Sequence, residues 1–174
     1  STAIHFNKDL AKAYLNRAAS YGNKDEHDKA LEDLNQAIHL DPDFPESYNN
    51  LGEVYRNKGQ IEKALESYSK AIRLRPNYAS AYNNRGGAYY KKGDHDQAFK
   101  DYNQAIKLDP DLADAWYNRG SAYVFKKEYD KAIADLNQAI RLVPNNAATY
   151  VRRGDAYALK GEHDKAIEDF STAI

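Results

Sequence analysis

The stretch Pro45–Tyr78, "PESYNNLGEVYRNKGQIEKALESYSKAIRLRPNY", runs directly into Ala79–Leu112, "ASAYNNRGGAYYKKGDHDQAFKDYNQAIKLDPDL". Laid over one another, the two agree in Tyr at places 4, 11 and 24, Gly at 8, Ala at 20 and 27, and Pro at 32. The period extends in both directions, because Pro42, Pro76, Pro110 and Pro144 are each 34 residues apart. It divides the chain into units 11–44, 45–78, 79–112 and 113–146 and a partial unit 147–174, with 1–10 as the tail of a preceding unit. A fixed period of this length signals tandem supersecondary units rather than a folded body of unrelated parts.

Place 4 is aromatic throughout (Tyr14, Tyr48, Tyr82, Trp116, Tyr150), and place 8 is small (Ala18, Gly52, Gly86, Gly120, Gly154). Place 24 is large: Leu34, Tyr68, Tyr102, Leu136 and Phe170. Places 4, 8 and 11, and again 20, 24 and 27, follow the i, i+4, i+7 spacing of one helix face. Between the two runs lies a polar break such as "NKGQ", with Gly59, Gly93 and Gly161 suited to ending the first helix. The proline then stops the second helix. Each unit reads as a helix–turn–helix whose small residues at 8 and 20 let the backbones approach. Asp25 and Lys127 stand where the turn glycine is expected, so the turns of units one and four should be less relaxed.

Composition removes several functions. With 25 Lys plus Arg against 26 Asp plus Glu, the net charge of −1 offers no field for nucleic acid or anionic lipid. No run approaches the roughly 20 apolar residues of a membrane span. The chain reads as soluble, with the cytoplasm as its default compartment. There is no Cys, which excludes thiol chemistry, disulfides and cysteine-ligated zinc. His27, His95 and His163 share place 17 but lie two units apart, too far to converge on one metal, and are expected in half-buried slots. No catalytic residue, metal or cofactor is expected.

The pattern resembles the tetratricopeptide repeat (TPR), a 34-residue motif, over the whole chain, with Ala18 in place of Gly as a small departure. The resemblance implies an all-α, right-handed superhelical solenoid of helical hairpins forming a single array over 1–174. It also implies a concave groove lined by places 2, 5, 6, 9, 12 and 13 of the first helices.

Place 6 carries Asn16, Asn50, Asn84 and Asn118, then Arg152, and place 5 adds Asn49, Asn83 and Tyr117. Asn offers an acceptor and donors, so these residues are candidates for binding an extended peptide backbone. They are similar to the asparagine ladder of the superhelical domain of the O-GlcNAc transferases. Other groove places are mixed: Lys12, Arg56 and Lys91 are basic, Glu46, Glu53, Asp114 and Asp155 acidic, Tyr90 and Phe125 aromatic. The carboxylate clamp that some members use on chaperone tails is not matched. Its places hold Leu15, Ala19, Asn50, Ser80 and Asn84, or Asn83, Gly87, Asn118, Ala148 and Arg152, without the lysines.

Place 7 is Arg17, Arg85, Arg119 and Arg153 but Leu51 in the second unit, and place 23 is Asp33, Asp101, Asp135 and Asp169 but Ser67 there. Both are equidistant from the turn, so an Arg–Asp pair is expected to bridge each hairpin that has both. Ser1–Ile4 and Ser171–Ile174 are both "STAI" at places 25–28. They suggest a segment of a longer array whose uncapped ends associate head to tail. The expected function is protein or peptide binding in the groove, without chemistry. Alternatives are a self-associating scaffold and the substrate-recruiting arm of a larger enzyme.

Overall fold

A computed structural model describes residues 2–174, with side chains from Lys8 onward. Ser1 lies outside the described residues, and the side chains of Thr2–Ile4 are not described. The described residues form ten helices: α1 (Thr2–Gly22), α2 (His27–Leu40), α3 (Pro45–Asn57), α4 (Ile61–Leu74), α5 (Ala79–Lys92), α6 (His95–Leu108), α7 (Ala113–Phe125), α8 (Tyr129–Leu142), α9 (Ala147–Lys160) and α10 (His163–Ala173). The described residues contain no strand, and no helix among them is long and apolar enough to cross a membrane. The architecture is an all-α superhelical solenoid of tandem hairpins.

The helix ends follow from local chemistry. Each even helix before the last ends at a leucine (Leu40, Leu74, Leu108, Leu142) two residues ahead of the periodic proline. The residue before a proline is disfavoured in helical conformation, and proline itself has no N–H to donate. Each odd helix is followed by one residue with positive φ, at 58° for Asp25, 74° for Gly59, 92° for Gly93, 61° for Lys127 and 90° for Gly161. Asp25 and Lys127 therefore adopt the left-handed turn despite carrying a Cβ, which costs about 1–2 kcal/mol relative to an unstrained residue.

Within a hairpin, side chains of the second helix pack directly on the backbone of the first. A Cβ built on Gly52 would lie 2.6 Å from Cε1 of Tyr68, and one on Gly86 would lie 2.8 Å from Cε1 of Tyr102. The rings of place 24 thus lie directly on the place 8 backbone, where Tyr68 is fully buried and Tyr102 is 2 % exposed. Ala30, Ala64, Ala98 and Ala132 are buried completely on the facing helix. The aromatics of places 4 and 11 differ from this pattern, being half-buried. The Tyr48 hydroxyl and the Trp116 indole N–H donate to the Pro42 and Pro110 carbonyls at 3.0 and 2.8 Å. Rings with a polar tip settle where one end is packed and the other wet.

The core is continuous between units. Leu15, Ala18, Ala30 and Leu34 of the first unit pack with Leu51 and Val54 of the second. Val124, Ala132 and Leu136 of the fourth pack with Ala156 of the fifth. No hairpin buries its apolar face alone, which is why such units occur in stacks.

Candidate functional site

The curvature places the site. Odd helices approach one another across units, as α1 with α3, α3 with α5, α5 with α7 and α7 with α9, whereas among the described residues no two even helices approach as closely. The odd helices therefore form the inner wall and the even helices the outer one, and groove positions recur in register along the inner wall.

The asparagines split into two classes. Asn49 and Asn83, expected in the groove, are instead buried within the wall at 6 % exposure. Their carbonyls accept from the next unit: Asn84 Nδ2 donates to Asn49 Oδ1 at 3.1 Å, and Asn118 Nδ2 donates to Asn83 Oδ1 at 2.9 Å. Place 5 faces the neighbouring helix, where a buried amide needs a partner, and the place 6 amide one unit on supplies it. Asn50, Asn84 and Asn118 are half-buried and Asn16 is exposed. Asn84 and Asn118 spend one N–H in the wall and retain the carbonyl and the second N–H. Tyr117 is half-buried and packs against the Val124–Leu136 cluster. Arg152 is also half-buried, with Nη1 3.4 Å from the Asp155 carboxylate.

Farther along the inner wall, Phe125 at the end of α7 is 65 % exposed. Its ring lies 6.0 Å from that of Tyr90, edge to face, and 5.2 Å from that of His95. This is an exposed apolar spot with a polar rim. His27 and His95 are half-buried as expected, but His163 is exposed on the last helix. Among the described residues no three His, Asp or Glu are grouped to hold a metal.

Behind the groove runs a web of ion pairs. Nε and Nη2 of Arg17, Arg85, Arg119 and Arg153 donate to the two oxygens of Asp33, Asp101, Asp135 and Asp169 at 2.5–2.8 Å. Three of these arginines also reach back one unit. Arg85 Nη1 donates to Ser69 at 3.1 Å, and Arg119 and Arg153 donate to Asn103 and Asn137 at 2.6 Å. For Arg17 the corresponding position is Ser1, outside the described residues. The aspartates hold each guanidinium above its already high ordinary pKa, chiefly through these hydrogen bonds for Arg85 and Arg153. Sequence reading missed the third partner, although Ser69, Asn103 and Asn137 recur at place 25 as polar residues. In unit two, Leu51 packs in the core and Ser67 donates to the Lys63 carbonyl at 2.8 Å, so that hairpin needs no pair.

Comparison with known proteins agrees with this architecture. A TPR repeat model matches residues 23–59, 52–93 and 86–127, and tetratricopeptide repeat models match 113–146 and 147–174. No curated protein sequence matches. Among solved structures, the MamA protein is 29% identical with a TM-score of 0.74, over 95% of this chain and 90% of that one. YrrB, described as a TPR protein with an unusual peptide-binding site, is 25% identical with a TM-score of 0.68, over 99% and 89%. PilF of Pseudomonas aeruginosa is 21% identical over 96% and 76%, and its TM-score of 0.88 shows a shared fold. The chain belongs to the tetratricopeptide repeat family.

Proposed function

We propose that this chain is a non-catalytic interaction module that holds an extended peptide or partner segment along the inner wall of the solenoid. The observation that carries the reading is the stacking of α1, α3, α5, α7 and α9, with no comparably close approach among the even helices of the described residues. That arrangement sets Asn50, Asn84 and Asn118 one unit apart, each with unspent hydrogen-bonding capacity, and the exposed ring of Phe125 follows Asn118 two turns later on α7. Main-chain amides and carbonyls of an extended peptide fit such a row, and the ring supplies an apolar anchor. The similarity to YrrB supports the same reading, since that protein is described as having a peptide-binding site.

The test is binding of a random peptide array to the wild type and to Phe125→Ser and Asn50→Ala. Both replaced side chains leave the wall bonds of Asn84 and Asn118 intact, so circular dichroism should be unchanged. Loss of binding in these variants is the expected result, and undiminished binding overturns the groove assignment.

A scaffold reading has one observation in its favour. Val151, Leu159 and Ile167 of α9 and α10 are 43 %, 59 % and 63 % exposed. If copies associate through that face, sedimentation should show mass rising with concentration, and Ile167→Lys should abolish the rise. A constant monomer mass removes this reading.

A further inference from the structure

Arg56 differs from the other inner-wall cations. It lies near the end of α3 at groove place 12 and is only half exposed, and its Nε is buried without a hydrogen-bond partner. Among the described residues no carboxylate lies within salt-bridge distance of it; the groove cations Lys12 and Lys91 share that lack but are exposed, and Arg152, whose Nε is likewise buried and unpartnered, has Asp155 at 3.4 Å. A partly desolvated guanidinium with an unmade hydrogen bond is costly, and native structures seldom leave one without a reason.

Its surroundings supply donors. The Tyr68 hydroxyl, on a fully buried side chain, makes no well-formed hydrogen bond, and Arg56, through its charge and a loose hydrogen-bonding contact, opposes the rise in its pKa that burial causes. The Tyr102 hydroxyl, one unit on, and Arg56 Nη1 each lie 4.0 Å from the point where a Cβ on Gly87 would sit. Gly87 therefore leaves a notch between them, at groove place 9 of α5. Burial pushes both phenols above their ordinary range, so both remain O–H donors at neutral pH. Glu53, one turn earlier on α3, also acts on Tyr68 through its charge, raising it, and forms no salt bridge with Arg56.

We propose that the Gly87 notch is an acidic-residue subsite, in which the carboxylate of an Asp or Glu side chain within the bound peptide accepts from Arg56 and from the Tyr102 hydroxyl. The subsite rests on the peptide-groove reading above and adds a specificity to it. A planar guanidinium matches two carboxylate oxygens, and a charge-assisted pair in a half-buried notch favours the ionised ligand. Gly87 is required because a side chain there would occupy the ligand's place.

The experiment uses a positional library of nonapeptides with N-acetyl and C-amide ends, and a matched library with free C-termini. Each is bound to the wild type, Arg56→Gln and Gly87→Asp. Asp at 87 brings its own carboxylate to Arg56 and fills the notch, and it replaces a helical glycine that meets nothing nearer than 4.0 Å, so this variant remains folded even if Arg56→Gln does not. The wild type is expected to select Asp or Glu at one internal position of the blocked library, about tenfold or more over Asn or Gln. Both variants are expected to bind the library with that preference erased. Wild-type binding without an acidic preference, or a preference that both variants keep, overturns the subsite and leaves the groove reading standing. A preference found only with free C-termini overturns the side-chain assignment in favour of a terminal carboxylate. No library binding by the wild type overturns the groove reading and the subsite with it.

Discussion

Arg119 and Asp135 sit 16 residues apart on α7 and α8 and meet through two parallel hydrogen bonds of 2.7 Å each. The Asp135 side chain is 7% exposed and that of Arg119 17% exposed, so the pair is largely withdrawn from water. The guanidinium also lies 5.0 Å from the Trp116 ring centre and donates to Asn103 of the preceding unit. One arginine thus ties its own hairpin together and fastens it to the hairpin before.

Breaking that pair from one side should leave a buried charge uncompensated. Arg119→Leu and Asp135→Ser are each expected to cost about 3–5 kcal/mol. The double variant reproduces the Leu51 and Ser67 of unit two and should cost less than either single change. Urea unfolding of all four proteins measures this, and simple additivity of the two losses would remove the pairing from the account of stability.

The contact of Gly86 with Tyr102 makes a second expectation. Gly86→Ala places a methyl against the ring and within 3.2 Å of the Ala98 carbonyl, where overpacking typically costs about 1–3 kcal/mol. Unit one already carries Ala18 opposite Leu34, both buried. Adding Tyr102→Leu should therefore recover part of the loss, and a double variant weaker than the single would show that the ring is not the obstacle.

Lys127 holds φ at 61° with a long side chain. Lys127→Gly is expected to raise stability by about 1 kcal/mol, since the left-handed penalty exceeds the added freedom of the unfolded chain. The melting temperature should rise with the secondary structure unchanged. A fall would mean that Lys127 makes a compensating contact.

Asn118, half-buried on α7, supports Asn83 across the unit boundary. Asn118→Ala leaves the buried Asn83 carbonyl without its 2.9 Å donor and should cost about 1–3 kcal/mol of stability before any ligand is added. Asn16→Ala, at an exposed side chain, should cost almost nothing. Equal stability of the two variants would refute the wall bond.

Acid should loosen the last hairpin. Glu162 accepts from Lys160 and Lys165 at 2.5 and 2.6 Å, and these hydrogen bonds hold its carboxyl below the ordinary value of about 4.5. A depressed carboxylate contributes stability that is complete above its unfolded pKa and lost as pH falls through the folded one. Glu162→Gln should therefore narrow its stability deficit below about pH 4.5, and a deficit that stays constant with pH would exclude the linkage.

The period of 34, the small residues at place 8 and the proline at place 32 were enough to determine, from sequence alone, the ten helices and their pairing into hairpins. These features act locally, through helix periodicity, backbone approach and chain termination, so a linear pattern carries them. The antiparallel hairpin likewise made the meeting of places 7 and 23 legible, because both lie equally far from the turn. The fate of each polar group was decided only in the tertiary structure. Asn49 and Asn50 are adjacent in the chain, yet one is buried in the wall and the other only half-buried, because place 5 meets the next unit, where the Asn84 amide donates to it. Arg56 looked like one groove cation among several. Its lack of a salt-bridge partner among the described residues, and its place near the hydroxyls of two tyrosines from successive units, emerge only once the hairpins are stacked, since burial and electrostatic partnership depend on neighbours that are distant in sequence.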